Sequence, residues 1–179
     1  EKKSNIIVML SGTDDNDQKM SAKYWPSEQS AKYHFYIVDP VSVEETPNFT
    51  LRQFKVNDMM SSCPSLIKLF HLRKWPDRGK PQSYKAILDL IGQVHTAQNN
   101  DEARGPVVVH CGSGSGRTGV FCALSIVLER MRCEGVVDLL QTVRQLREQR
   151  PQMVETLEQY AFCYEAALQY LSSFDHITA

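Results

Sequence analysis

Val107-Val108-Val109-His110-Cys111-Gly112-Ser113-Gly114-Ser115-Gly116-Arg117-Thr118-Gly119 is the stretch on which the fold turns. Gly105-Pro106 opens it, and the three valines read as a short strand buried on both faces. From Thr118 to Met131, Val120, Phe121, Leu124, Val127, Leu128 and Met131 recur at helical spacing. Strand, glycine-rich turn and helix in that order build an anion cradle. Glycines let backbone N–H groups converge without Cβ obstruction, and the helix presents its positive end to the same point.

Two nucleotide motifs compete for the turn. The nucleotide P-loop needs Gly, four residues, then Gly-Lys-Ser/Thr, but Cys111 stands for the first Gly and Arg117 for the Lys. Gly114-Ser115-Gly116-Arg117-Thr118-Gly119 does satisfy the dinucleotide pattern G-x-G-x-x-G, yet that reading leaves Cys111 and Arg117 idle. A third reading uses every polar residue. A thiol at the floor of a cradle is ionised by a helix N-terminus and nearby positive charge, which makes Cys111 a nucleophile. Gly112, Ser113, Gly114, Ser115 and Gly116 supply the phosphate-binding amides. Arg117 grips two phosphoryl oxygens with its planar fork, and Thr118 hydrogen-bonds the sulfur and eases its departure. The plain alternative, a small buried hydrophobe, is the reading for Cys122, Cys133 and Cys163. His110 orients the loop rather than serving as a base.

Outward from the cradle, Ile6-Ile7-Val8-Met9-Leu10 is an apolar strand that ends at Ser11-Gly12. Residues 32–38 and 50–56 are rich in β-branched and aromatic residues, closed by Asp39-Pro40 and Asn57-Asp58, and residues 66–72 form a further strand. Trp75-Pro76-Asp77-Arg78-Gly79-Lys80-Pro81 is an ordered loop, because two prolines and a glycine forbid regular structure. Ser83 caps a helix with Ile87, Leu88, Ile91 and Val94 on one face, stopped by Asn99-Asn100-Asp101. A second periodic stretch buries Val136, Val137, Leu139, Leu140, Val143 and Leu146 until Pro151 breaks it. A last helix over 156–171 offers Leu157, Tyr160, Phe162, Tyr164, Ala167 and Leu168 for burial. Strands first and helices afterwards give one α/β (α+β) domain with a mixed, largely antiparallel sheet flanked by helices.

The bulk numbers narrow the function. At 179 residues, 42% hydrophobic and 23% charged, the chain supports one domain with a real core. Twenty Lys plus Arg against 21 Asp plus Glu give a net charge of -1, which offers no global attraction to nucleic acid or an anionic membrane. No apolar run approaches the roughly 20 residues of a membrane span, and no signal peptide opens the chain. Five cysteines, without a C-x-x-C pair or zinc-spaced clusters, fit free thiols in a reducing, cytoplasmic setting and no metal.

His110-Cys111-x-x-Gly-x-Gly-Arg-Thr-Gly resembles the signature of the protein-tyrosine phosphatases, and the likeness runs along the whole chain. Trp75-Pro76-Asp77 looks like that family's mobile acid loop. The resemblance makes Asp77 the group that protonates the leaving tyrosyl oxygen and then deprotonates the attacking water, with Trp75 as loop support. Tyr24-Trp25-Pro26 resembles the stretch after the first central strand. Residues 149–160 resemble the water-positioning glutamine loop, with Gln159 as its second glutamine. Arg150-Pro151, Val127-Leu128-Glu129-Arg130-Met131 and the tail Tyr170 to His176 look most like the membrane-distal second domain of leukocyte-antigen-related receptor-type enzymes.

The resemblance implies hydrolysis of phosphotyrosine through a phosphocysteine, without metal or organic cofactor. It also implies phosphotyrosine-containing proteins and a tandem catalytic domain as partners, and a place in the intracellular part of a single-pass receptor. Its rival is a weakly active or inactive second domain that binds phosphotyrosine or docks as a regulator. Four departures set the expectations. Gly112-Ser113 replace the usual Ser-Ala. Glu155 stands where the first glutamine belongs, and its carboxylate repels a phosphoryl group unless protonated or turned away. The segment Ser11 to Gln18 lacks the glutamate that braces the arginine. Residues 1–179 form a phosphatase domain without the family's N-terminal recognition part.

Overall fold

The structure, a computed structural model, describes residues 4–12, 22–61, 63–76, 79–81, 83–101 and 105–175. Strands β1 (Ile6–Met9), β2 (Ala31–Tyr33), β3 (Tyr36–Glu45), β4 (Thr50–Asp58), β5 (Ser65–His71) and β6 (Val108–His110) make one six-stranded sheet in the order β2-β3-β4-β5-β1-β6. The β2/β3, β3/β4 and β4/β5 pairs are antiparallel, while β1 lies parallel between β5 and β6. The mixed sheet expected from the sequence is therefore present. Its parallel part aligns the C-terminal ends of β5, β1 and β6, the region from which the acid-loop tryptophan and the cysteine loop both emerge.

The strand read over 32–38 is in fact two. His34 and Phe35 form a tight hairpin turn, and His34 takes φ +51, a left-handed conformation that such a turn requires. Asp39-Pro40 does not close the strand either. β3 continues through Pro40 to Glu45 because its register against β4 shifts between Pro40 and Ser42, and such an irregularity accommodates a residue without an N–H.

Helices α1 (Tyr84–Asn99), α2 (Gly116–Glu134), α3 (Leu139–Gln149) and α4 (Leu157–Asp175) bring the remaining apolar faces together. Ile87, Leu90, Ile91 and Val94 of α1 and Val120, Phe121, Leu124, Val127, Leu128 and Met131 of α2 are buried in one core with Val8, Leu10 and Phe70 of the sheet region. Burial of each such side chain contributes about 1.5–3 kcal/mol. Met9, Trp25, Phe54 and Leu69 form a second, smaller cluster. Ser83 occupies the N-cap of α1, but its side chain makes no capping bond.

The second periodic stretch begins later than its pattern implies. Gly135, at φ +67, ends α2 in a left-handed cap, and Asp138 caps α3 by accepting from the Gln141 N–H. Val136 and Val137 consequently precede the helix and are exposed, as is Leu140, while Leu139, Thr142 and Val143 are buried. On α4 the buried residues are Gln159, Phe162, Cys163, Ala166 and Ala167. Leu157, Tyr164 and Leu168 face outward.

Candidate active site

Strand β6 delivers the chain at the sheet edge, residues 111–115 make the turn, and α2 starts at Gly116. Gly114 takes φ +68, a conformation open to glycine at no cost, and this folds its N–H back over the sulfur. Cys111 is buried, and its Sγ accepts from the Gly114 N–H and the Thr118 hydroxyl, each at 3.2 Å. Burial alone would push the thiol up. Hydrogen bonds from the Thr118 side chain and from the Thr118 and Gly114 backbone, with the Arg117 charge, outweigh burial and hold it below its usual value. Elsewhere burial wins: Cys122 is driven to about 11 and Cys163 to about 12. The chain thus keeps one nucleophilic sulfur in its cradle and inert thiols behind it. All five cysteines are free, but Cys133 is not the buried hydrophobe its reading implied; it is exposed beside Glu129.

The turn is braced from three directions. Ser113 and Ser115 share a hydroxyl hydrogen bond of 2.7 Å, and Arg150 donates from Nη2 to the Ser113 carbonyl at 3.0 Å. Tyr24 and His110 are joined at 2.8 Å through Oη and Nε2. Burial pushes the Tyr24 phenol up to about 12, so it stays protonated in this pair. Burial also pulls the His110 ring below its usual value, against a hydrogen bond to the Cys111 backbone that raises it. A neutral ring held on both sides fits the loop-orienting role expected of His110.

Arg117 is 3% exposed, and its Nη1 donates to the Trp75 carbonyl at 3.1 Å. Trp75 is itself buried, donates from its indole to the Gly79 carbonyl at 3.0 Å, and packs on Phe162 with ring centroids 6.4 Å apart. Arg117 and Trp75, read from the sequence as the phosphate grip and the start of the acid loop, are therefore linked directly. Asp77 lies outside the described residues, as does most of the segment Ser11 to Gln18.

The glutamine loop closes the other side. Met153 and Val154 are gripped by Arg147, which donates from Nε to the Met153 carbonyl at 2.9 Å and from Nη2 to the Val154 carbonyl at 2.8 Å. Val154 is fully buried with φ +59, a costly conformation for a β-branched residue, tolerated where surroundings over-determine it. Gln159 is 1% exposed and accepts the Glu155 N–H at 3.0 Å. A Cβ at Gly116 would meet Gln159 Nε2 at 2.9 Å, Gln159 Oε1 at 3.1 Å and Glu155 Oε2 at 3.2 Å. The Glu155 carboxylate thus lies beside Gln159 at Gly116, where α2 begins.

Deeper down, His71 Nε2 donates to the Ser11 carbonyl at 2.8 Å, and Arg52 Nη1 approaches His71 Nδ1 at 3.4 Å. The Arg52 guanidinium sits 5.2 Å over the Trp25 ring. Burial, with the charges of Arg52, Arg73 and His110, drives His71 down to about 4 against the Ser11 bond. Sequence reasoning assigned no role to Tyr24, His71, Arg147 or Val154; a valine before a loop, or an arginine on a helix, carries no motif. Among the described residues no group of three or more His, Cys, Asp or Glu side chains could hold a metal ion, and no helix is long and apolar enough to cross a membrane.

A buried sulfur that accepts two hydrogen bonds, a helix N-terminus above it and an arginine after the glycine turn define a cysteine-based phosphate site, and the protein-tyrosine phosphatase family model matches residues 1–169. The chain belongs to the protein-tyrosine phosphatase family. It is 48% identical over 176 residues to receptor-type tyrosine-protein phosphatase S of Gallus gallus, covering 98% of this chain and 12% of that protein. Against receptor-type tyrosine-protein phosphatase F of Homo sapiens the identity is 49% over 176 residues, 98% of this chain and 9% of that protein. Against tyrosine-protein phosphatase Lar of Drosophila melanogaster it is 47% over 178 residues, 99% and 9%. The chain therefore spans about a tenth of the length of these relatives.

Proposed function

We propose that this domain hydrolyses phosphotyrosine in proteins through a phosphocysteine. The observation that carries the reading is the Cys111 sulfur, which accepts from the Gly114 N–H and the Thr118 hydroxyl at 3.2 Å and is held below its usual thiol value, with five residues between it and an arginine. Cys111 attacks phosphorus, the amides of residues 112–116 and Arg117 hold the equatorial oxygens, and Asp77 protonates the leaving phenolate. Gln159, buried beside Gly116, orients the water of the second step in this reading. The receptor-type relatives support a place in the intracellular part of a membrane receptor, beside a tandem catalytic domain.

One feature favours a second reading. A carboxylate on the phosphate loop, Glu155 against Gly116, opposes an incoming dianion, and that suits a slow domain that binds phosphotyrosine or docks as a regulator. Phosphate release from an aryl phosphate separates the two. Turnover by wild type, with loss of about 10²-fold or more in Asp77→Asn and complete loss in Cys111→Ser, supports the enzyme. Equal inertness of wild type and Cys111→Ser, with both still binding a phosphopeptide, replaces it with the binding module.

A further inference from the structure

We propose that Ser125 is a second nucleophile of this chain, activated by His95 and Glu129 to hydrolyse small uncharged carboxylic esters in a cavity between α1 and α2. The three side chains come from two helices. Ser125 and Glu129 stand at i and i+4 on α2, so they share one face of it, and His95 reaches both from α1. The His95 Nε2 meets the Ser125 Oγ at 2.6 Å, and the His95 Nδ1 lies 3.9 Å from the Glu129 Oε2. Hydroxyl, imidazole and carboxylate therefore follow one another through the two nitrogens of a single ring. That is the order in which a base activates a nucleophile while a third group orients the base.

Each member is fitted to its part. Arg132 fixes the carboxylate, donating from Nη2 to Glu129 Oε1 at 2.7 Å and from Nε to Oε2 at 3.3 Å, and these bonds hold the carboxyl below its usual range. Burial pulls the His95 ring below its usual value, against the Glu129 charge, which leaves a neutral imidazole able to take a proton. The three groups line a cavity of about 360 Å³, the size of a small-molecule site. Gln98 and Asn99 bring amide donors to the same cavity for a developing oxyanion, and the half-exposed Ile126 offers apolar surface to an acyl chain. Both nearby arginines are engaged, Arg130 with Glu134 at 3.0 Å and Arg132 with Glu129, so the cavity suits an uncharged ester rather than a phosphate.

In the first step the Ser125 Oγ bonds to the ester carbonyl carbon as its proton passes to His95 Nε2, and the carbonyl electron pair moves onto oxygen. That pair then returns, the bond to the alcohol oxygen breaks, and the alcohol leaves with the proton held by His95. Water attacks the acyl-serine in the same way and gives a proton to His95. The bond to Oγ breaks, Ser125 recovers that proton, and the carboxylic acid departs.

The test is labelling by a fluorophosphonate, mapped by peptide mass spectrometry, together with hydrolysis of p-nitrophenyl acetate. Both are measured on a Cys111→Ser background, so that the loop thiol contributes nothing. Ser125 should take the label about 10²-fold faster than Ser173, an exposed hydroxyl on α4. Ser125→Ala should abolish the label at this site and the ester turnover. His95→Gln should slow both by about 10²-fold and Glu129→Gln by about 10-fold. Glutamine at position 95 keeps a hydrogen-bond partner for the hydroxyl without the basicity, so a merely structural His95 would leave the label in place. No label, a label confined to other residues, ester turnover that survives Ser125→Ala, or equal labelling in His95→Gln overturns the proposal, and none of these outcomes bears on the phosphate loop.

Discussion

Gly119 and Gly116 stand one helical turn apart at the start of α2, and replacing each by alanine should do opposite things. A Cβ on Gly119 would lie 2.3 Å from the Val154 nitrogen, 3.0 Å from the Met153 carbonyl carbon and 3.1 Å from its Cα, all backbone. Ordinary contact begins near 3.4 Å, so the Met153–Val154 segment must retreat by about an ångström. That segment is pinned by Arg147 and already strained, so the overpacking cost lies near the upper end of the usual range, about 3 kcal/mol. Alanine recovers about 1 kcal/mol of helix propensity, which leaves a net loss of about 2 kcal/mol. For a chain of this size that is a fall in Tm of about 4–8 °C. A Cβ on Gly116 meets side-chain ends and no backbone, at 2.9–3.2 Å, so a shift of a few tenths of an ångström by Gln159 and Glu155 relieves it. Gly116→Ala should therefore lose less than half as much in Tm, yet reduce aryl phosphate turnover by about 10-fold or more because it displaces the water-positioning Gln159. Calorimetric melts with parallel phosphate-release assays decide the matter. A Gly119→Ala protein as stable as wild type, or a Gly116→Ala protein that melts equally early, would refute the reasoning.

Two further outcomes follow from the titrating groups. Iodoacetate at neutral pH should modify Cys111 well before Cys122 or Cys163, which burial holds near 11 and 12, and Thr118→Ala should move the reactive limb of Cys111 to higher pH; mass spectrometry of alkylated peptides reads both. His71 titrates near 4 in the folded chain against an ordinary value of 6.5, so the unfolded state takes up its proton first as pH falls. Its contribution is intact above 6.5 and is lost progressively from there down to about 4. Urea midpoints across this window should fall with pH in wild type and flatten in His71→Gln; an unchanged slope would remove His71 from the account.

The cradle was legible in the sequence because its chemistry is contiguous: strand, Cys111, glycines, Arg117 and Thr118 lie within a dozen positions, and local spacing fixes their roles. The braces were not, because they come from afar. Tyr24 reaches His110, Arg147 reaches Val154 and Arg150 reaches Ser113 only after the helices have packed. Boundaries failed where local signals conflict with tertiary ones. His34-Phe35 forms a hairpin turn without glycine or asparagine, and Pro40 survives inside β3 because the register slips there. Val136 and Val137 have the periodicity of a buried face, but Gly135 and Asp138 place them between two helices. Leu157, Tyr164 and Leu168 look equally apolar, yet the small residues Cys163, Ala166 and Ala167 are what let α4 approach its neighbours.

The nucleophile hangs from β6, a strand of three residues that pairs on one side only, with β1, at the sheet margin. A short marginal strand is the element that local opening reaches first, well below the free energy of global unfolding. Cys111 therefore follows directly from a short strand at one margin of the sheet, and its place depends on the packing of α2 against that strand as much as on the pairing with β1.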